Sequence, residues 1–271
     1  MLVDAHVHFY PSYDRDRFLA AALANFRRGA AELGLPAATP GILLLSEGHG
    51  ERWFLRLRDE AANESAGDWH VEPCAADPAA LVAWRRDLPD DRLFLVAGRQ
   101  IATREGIEVL ALTTAAELAD GLPLFDTLDW AREQGAIAVL PWGFGKWSFQ
   151  RGRLVLQALS RFDRAPLFLG DSAARPQLAP RPRLFDAAEK RHIPILPGTD
   201  PLPFPSQMTL AGSYGFALAG PFREDRPVQS LRCLLNNDLR QPRRYGRRAG
   251  LLGFAVAQAA MQARKHAQRG L

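Results

Sequence analysis

A distorted (β/α)7–8 barrel of the TIM type is the fold class this α/β sequence predicts, and three observations predict it. Short apolar segments alternate with amphipathic ones along most of the chain, the pattern of parallel strands covered by helices. The 271 residues suit one closed or nearly closed α/β barrel. No Gly-rich GxGxxG turn follows the first strand, which argues against an open doubly wound sheet. The barrel is assigned to residues 1–221, and residues 222–271 to a basic helical C-terminal extension packing on it.

The first element is a strand from Leu2 to His8, where period-2 geometry sets Asp4, His6 and His8 on one face and Val7 on the other. Asp14 or Asp16 caps a helix running to about Gly34, with Phe18, Leu19, Ala22, Leu23 and Phe26 as its apolar stripe. GILLLSE (41–47) reads as a short buried strand, followed by a helix near 52–61, a strand at HVEPC (70–74) and a helix near 79–86. RLFLVAGRQIAT (92–103) and GIEVLALTT (106–114), parted by the turn-like Arg104–Glu105, read as a hairpin inserted into the alternation. Helices near 124–134, 153–161 and 184–190 then alternate with strands at AIAVLPW (136–142), APLFLG (165–170) and IPILPGTD (193–200).

A hydrophobic share of 47% with 24% charged residues marks a folded globular chain without low-complexity segments. Cys74 and Cys233 form no disulfide framework and no CxxC pair, which fits a reduced cytoplasm. The HxH element begins too near Met1 for a signal peptide, and the longest apolar run, LLGFAVAQAAM (251–261), is too short to span a bilayer, so no membrane is expected. The net charge of +4 is uneven: residues 222–271 hold eleven Lys and Arg against three Asp and Glu. That basic tail lacks interleaved aromatics, so a solvated helical face is expected rather than a nucleic-acid site.

In a β/α barrel the chemistry gathers at the C-terminal ends of the strands. Those ends are polar here: His6 and His8 on the first, Glu47 and His49 past the second, and Asp200 closing ILPGTD. Two histidines and a carboxylate are a standard ligand set for a divalent ion, with positions left for water and substrate. Asp200 either ligates or acts as a base. Lys146 sits on a Gly-rich turn between a strand and a helix, a setting suited to phosphate. Trp142 and Trp147 are candidate pocket walls, and Asp171, Ser172 and Arg175 stand at another strand end where they can orient a ligand. His70, His192 and His266 read as structural.

The arrangement resembles the polymerase and histidinol phosphatase (PHP) family of metal-dependent phosphoesterases, distant relatives of the amidohydrolases, over most of residues 1–205. DAHVHFYPSYD is similar to the family's D-x-H-x-H opening, with Asp14 as the following acidic ligand. GILLLSEGHG resembles its T-D-H segment with His49 in the His position, and AGRQIATREGIEVLAL its G-x-E strand and hairpin. The resemblance implies Gln100 in place of a bridging Glu, and Leu110, Leu140 and Leu202 in place of three histidines. It therefore implies at most one or two ions of zinc, manganese or iron: one held by His6, His8 and Asp200, with Asp14 and His49 left from another.

The leading expectation is a divergent hydrolase that uses metal-activated water on a small, phosphorylated substrate, with Lys146 or Arg99 offsetting phosphate charge. A catalytically inactive PHP-like protein that binds a ligand or protein partner is the first alternative, and an amidohydrolase-type enzyme the second. No histidine lies between 71 and 191 to supply an amidohydrolase's middle strands.

Overall fold

A computed structural model of the chain describes residues 1–61, 67–162, 167–237, 240–250 and 259–261. Most of the 251–261 apolar run, His266 and the opening Ala165 and Pro166 of the APLFLG segment lie outside the described residues.

The chain opens with β1 (Leu2–Val7). Asp14 caps α1 (Arg15–Leu33) by accepting a hydrogen bond from the Arg17 amide at 2.8 Å, and the predicted Phe18-to-Phe26 stripe is buried. β2 (Gly41–Leu45), α2 (Trp53–Ala61) and β3 (Trp69–Pro73) follow in the expected order. The segment read as a helix near 79–86 is instead β4 (Ala80–Arg85), antiparallel to β3 on one side and to β5 (Leu88–Val96) on the other. A short apolar run suits either element; Val82 and Trp84 and the ladders on both edges decide for the strand. β6 (Gly98–Ala102) and β7 (Glu108–Leu112) form the expected hairpin. α3 (Leu124–Glu133), β8 (Ile137–Pro141), α4 (Gln150–Arg161), β9 (Leu167–Ser172), α5 (Arg183–Glu189) and β10 (Ile195–Gly198) keep the predicted rhythm. A 3-10 turn (Pro205–Leu210), β11 (Tyr214–Ala217), α6 (Pro227–Asn237) and β12 (Arg243–Gly246) complete the described elements. The segment from 222 onward, expected to be helical, thus also contributes β12, which pairs with β11.

The predicted barrel is not formed. Two mixed sheets take its place, one of seven strands in the order β12-β11-β1-β2-β5-β4-β3 and one of five in the order β10-β9-β8-β7-β6. The reason lies in which strand edges are already taken. Closing a TIM-type barrel requires β1 to ladder with the last parallel strand, but β11 pairs antiparallel with β1 at Leu2 and Val3. β10 therefore meets β1 only beyond that ladder, where the Asp200 amide donates to the His6 carbonyl at 2.8 Å. On the other flank β5 occupies the outer edge of β2 from Gly41 to Leu44. β6 reaches only the residue past the end of β2: the Glu47 amide donates to Gly98 (3.1 Å) and the Gln100 amide to Glu47 (2.9 Å).

Three apolar clusters fill the layers. Val3, Ala5, Ile42, Leu44, Phe94 and Val96 pack against Leu110, Val139, Phe168 and Leu196 between the sheets, with Val228, Leu231 and Leu235 of α6 in the same cluster. The outer face of the larger sheet is covered by α1 and α2, that of the smaller by α3, α4 and α5. Leu140 belongs to this last layer, so it faces the helices and not the inner space where the resemblance would set a ligand. Leu110 does face inward, buried among aliphatic side chains. Leu202 is half-buried, its carbonyl accepting from the Tyr13 hydroxyl at 2.6 Å.

The crossing of β10 over β1 needs a residue without a side chain. A Cβ on Gly198 would lie 2.5 Å from the His6 nitrogen and 2.6 Å from the His6 Cβ. Gly198→Ala is expected to cost about 1–3 kcal/mol, as overpacking of a rigid site does, and to lower the denaturant midpoint with an unchanged m-value.

Candidate metal centre

The ladder between β1 and β2 is irregular between Asp4 and Val7. Ala5 belongs to the inner cluster and Val7 to the outer layer, so strand alternation is interrupted there. This separates Asp4 from the histidines with which period-2 reading grouped it. The Asp4 carboxylate accepts from the Thr199 amide (2.8 Å) and hydroxyl (2.6 Å), the Gly212 amide (2.8 Å) and the His6 amide (3.3 Å). Its role is to fasten the end of β10 to β1. Burial nevertheless pushes this carboxyl up to about 7, against the pull of those hydrogen bonds.

His6 and His8 point into the gap between the sheets, where Asp200 and Gln100 meet them. His6 Nε2 lies 3.0 Å from His8 Nε2 and 2.9 Å from Gln100 Oε1. Asp200 Oδ1 is 3.6 Å from His6 Nε2 and 3.7 Å from His8 Nε2, while its Oδ2 accepts from the Ser172 hydroxyl at 3.2 Å. Asp200 holds this position at φ 50°, a left-handed conformation that Asp tolerates better than most residues.

Proton counting shows what the cluster is suited to. A proton on His6 Nε2 can serve the contact to His8 or the contact to Gln100, not both; without that proton, a lone pair faces the amide oxygen. Donor atoms bound to one tetrahedral ion at roughly 2.0–2.1 Å stand roughly 3.3 Å apart, close to the spacings observed. His6, His8 and Asp200 form a group able to hold a metal ion, and among the described residues it is the one such group of three. Burial holds both imidazoles down at about 4, so both are neutral ligands at pH 7, and raises Asp200 to about 6.

The remaining predicted residues divide. Gln100 joins the histidines. Asp14 is an exposed helix cap, occupied by the Arg17 amide, and is not part of the group. His49 is exposed on the Gly48–Gly50 loop beside a small cavity lined by Glu47, Arg99, Gln100 and Glu117, and is likewise outside the group. Arg99 is buried: it pairs with Glu47 (3.4 Å) and Glu117 (2.8 Å) and donates to the Glu51 carbonyl (2.6 Å), while its Nε has no hydrogen-bond partner among the described residues. Arg175 is buried in a bidentate pair with Asp171 at 2.7 and 2.8 Å, and the Tyr214 hydroxyl completes that carboxylate. Trp142 and Trp147 pack on the outer layer of the smaller sheet, Trp147 edge-on to Phe185, and do not wall the site.

Lys146 does reach the mouth, but in an ion pair with Glu108, a residue the sequence reading passed over. Glu108 opposes Ala102 across the hairpin as Leu110 opposes Gln100, so Glu108 and Gln100 share the inward face. The parity of GIEVL relative to GRQ was the available signal.

No protein-family model and no curated protein matches the chain. Among solved structures it is similar to PsfC from Pseudomonas syringae PB-5123, with a TM-score of 0.57 and 17% identity over 98% of each chain. That likeness concerns the fold alone. A weaker likeness, TM-score 0.39 and 12% identity over 85% of this chain and 57% of the other, is to Endonuclease Q in complex with a 27-mer duplex bearing an abasic lesion; it is too distant to carry an argument.

The depressed imidazoles fix a sign for metal-free stability. Their contribution is complete above the ordinary pKa of about 6.5 and is lost as pH falls toward about 4, because the unfolded chain takes up protons first. Asp4 and Asp200, both raised, push the other way in the same window. With a chelator present, a His6→Gln/His8→Gln variant should therefore lose less stability than the wild type between pH 7 and pH 5, by roughly 2 kcal/mol for each histidine removed, in urea titrations.

Proposed function

We propose that the chain is a divergent metal-dependent hydrolase of phosphoesters, in which His6, His8, Asp200 and Gln100 hold one divalent ion such as zinc, manganese or iron. The observation that carries the proposal is the convergence of four lone-pair donors with too few protons to satisfy one another. A divalent ion bound there supplies Lewis acidity and lowers the pKa of water toward neutrality. The chain's own residues do the rest. Burial keeps both imidazoles unprotonated at pH 7. Ser172 fixes Asp200 through Oδ2 and leaves Oδ1 toward the histidines. Lys146, partly exposed at the mouth, offers an ammonium to the anionic group of the substrate.

One observation favours a second reading, a catalytically inactive protein that binds a ligand in the same gap. Gln100 gives an amide where a carboxylate would offset the charge of an ion, so affinity for the cation is weak.

Calorimetric titration with manganese should give one equivalent bound to the wild type and none to His6→Ala/His8→Ala. Gln100→Glu should tighten binding by about tenfold or more, since it adds a full charge at ligand distance. Manganese-dependent hydrolysis of a p-nitrophenyl phosphate ester should fall by about a hundredfold or more in Asp200→Asn. A wild type that holds the metal and turns over no phosphoester would establish the second reading.

A further inference from the structure

Of the three cations that the sequence singles out, two are buried in ion pairs. Arg99 is locked by two carboxylates and a backbone carbonyl, and Arg175 by both oxygens of Asp171; both guanidinium groups are buried. Lys146 differs. Its side chain is 36% exposed and one ion pair, to Glu108, holds it at the mouth. The turn that carries it is shaped for this: a Cβ on Gly143 would lie 2.5 Å from Lys146 Cδ and 3.1 Å from Cε, so the lysine stem lies folded over the glycine. Glu108 stands one cross-strand pair from Gln100 on the inward face and holds Lys146, so both charges lie beside the donor group.

We infer that Glu108 is the specificity-determining residue of this site: its carboxylate stands in for the substrate's anionic group on Lys146, so that only a doubly charged oxyanion displaces it. This inference rests on the single-ion phosphoesterase reading. The argument is one of charge. Glu108 faces inward beside Gln100, so any anion approaching the metal group meets its repulsion as well as its competition for the ammonium. A singly charged carboxylate gains no more from Lys146 than Glu108 already does, and loses freedom of motion besides. A phosphate dianion brings a second charge and spare oxygens, contacting the ion and the ammonium together, and that surplus displaces Glu108.

The test is calorimetric titration of manganese-loaded protein with inorganic phosphate and with acetate at pH 8, in the wild type, Glu108→Gln, Lys146→Met and the double variant. Glu108→Gln should bind phosphate roughly tenfold more tightly and should bind acetate measurably where the wild type does not. Lys146→Met should weaken phosphate binding roughly tenfold. In the Lys146→Met background the Glu108→Gln gain should shrink severalfold, to the part owed to repulsion alone, because the competition for the ammonium is gone. Equal or weaker phosphate binding in Glu108→Gln overturns the inference, as does a gain of undiminished size without Lys146, which would reduce Glu108 to a source of field. Manganese titration separates the two levels. If the wild type binds no manganese, both readings fall; if it binds manganese through His6 and His8 and phosphate binding is indifferent to Glu108, this inference alone falls.

Discussion

β1 has two edges, and both are used. β11 pairs with one and β2 with the other, so β10 must lie against β1 without a ladder. Every backbone group at that crossing still needs a partner, because buried amides and carbonyls left unpaired cost as much as lost hydrogen bonds. The Asp4 carboxylate supplies the missing acceptors. It takes two amides and a hydroxyl from Thr199 and Gly212 and a third amide from His6, all in the interior. A buried carboxylate is tolerable only when hydrogen-bonded this fully. Asp200 follows Thr199 directly, so the clamp also sets where the acidic side of the metal group stands relative to His6.

The same device recurs along the junction of the sheets. Asp171, at the end of β9, is satisfied by Arg175 and by the hydroxyl of Tyr214 from β11, which ties the smaller sheet to the larger. On the opposite flank Glu47 accepts from the Phe54 amide at 2.7 Å and pairs with Arg99, joining β2, α2 and β6. Such buried ion pairs add little net stability, since desolvation offsets their attraction, but breaking one partner leaves an uncompensated charge. They fix position. Arg99 and Arg175, which the sequence marks by type, both sit in such pairs.

Much of the local architecture was legible. The stripe and caps of α1, the β6–β7 hairpin and the helix–strand rhythm from α3 to β10 follow from periodicity and turn chemistry. So did His6, His8 and Asp200, because two histidines two apart on one strand and an aspartate ending another make up a ligand set by residue type. Closure of the barrel was not legible, since it is decided by which strand reaches β1 first. The deciding element, β11, is four residues of unremarkable sequence. β4 was misread because a six-residue apolar run carries no period that separates helix from strand. Asp4 was grouped with the histidines because alternation was extended through a point where the ladder slips. Arg99 and Lys146 have the same formal charge, and only their partners tell them apart.

A closed barrel sets the distance between opposite residues by strand pitch and strand number, which evolution changes only in whole steps. Here the seam between β1 and β10 is set by direct contact: the Asp200 amide donates to the His6 carbonyl, and Gly198 leaves no room for a side chain between the strands. The side-chain hydrogen bonds that fasten this seam, between Asp4 and Thr199, belong to neither sheet's ladder, since β1 and β10 pair with other strands. The placement of Asp200 against the two histidines thus rests on one local fastening and not on the pairing order of either sheet.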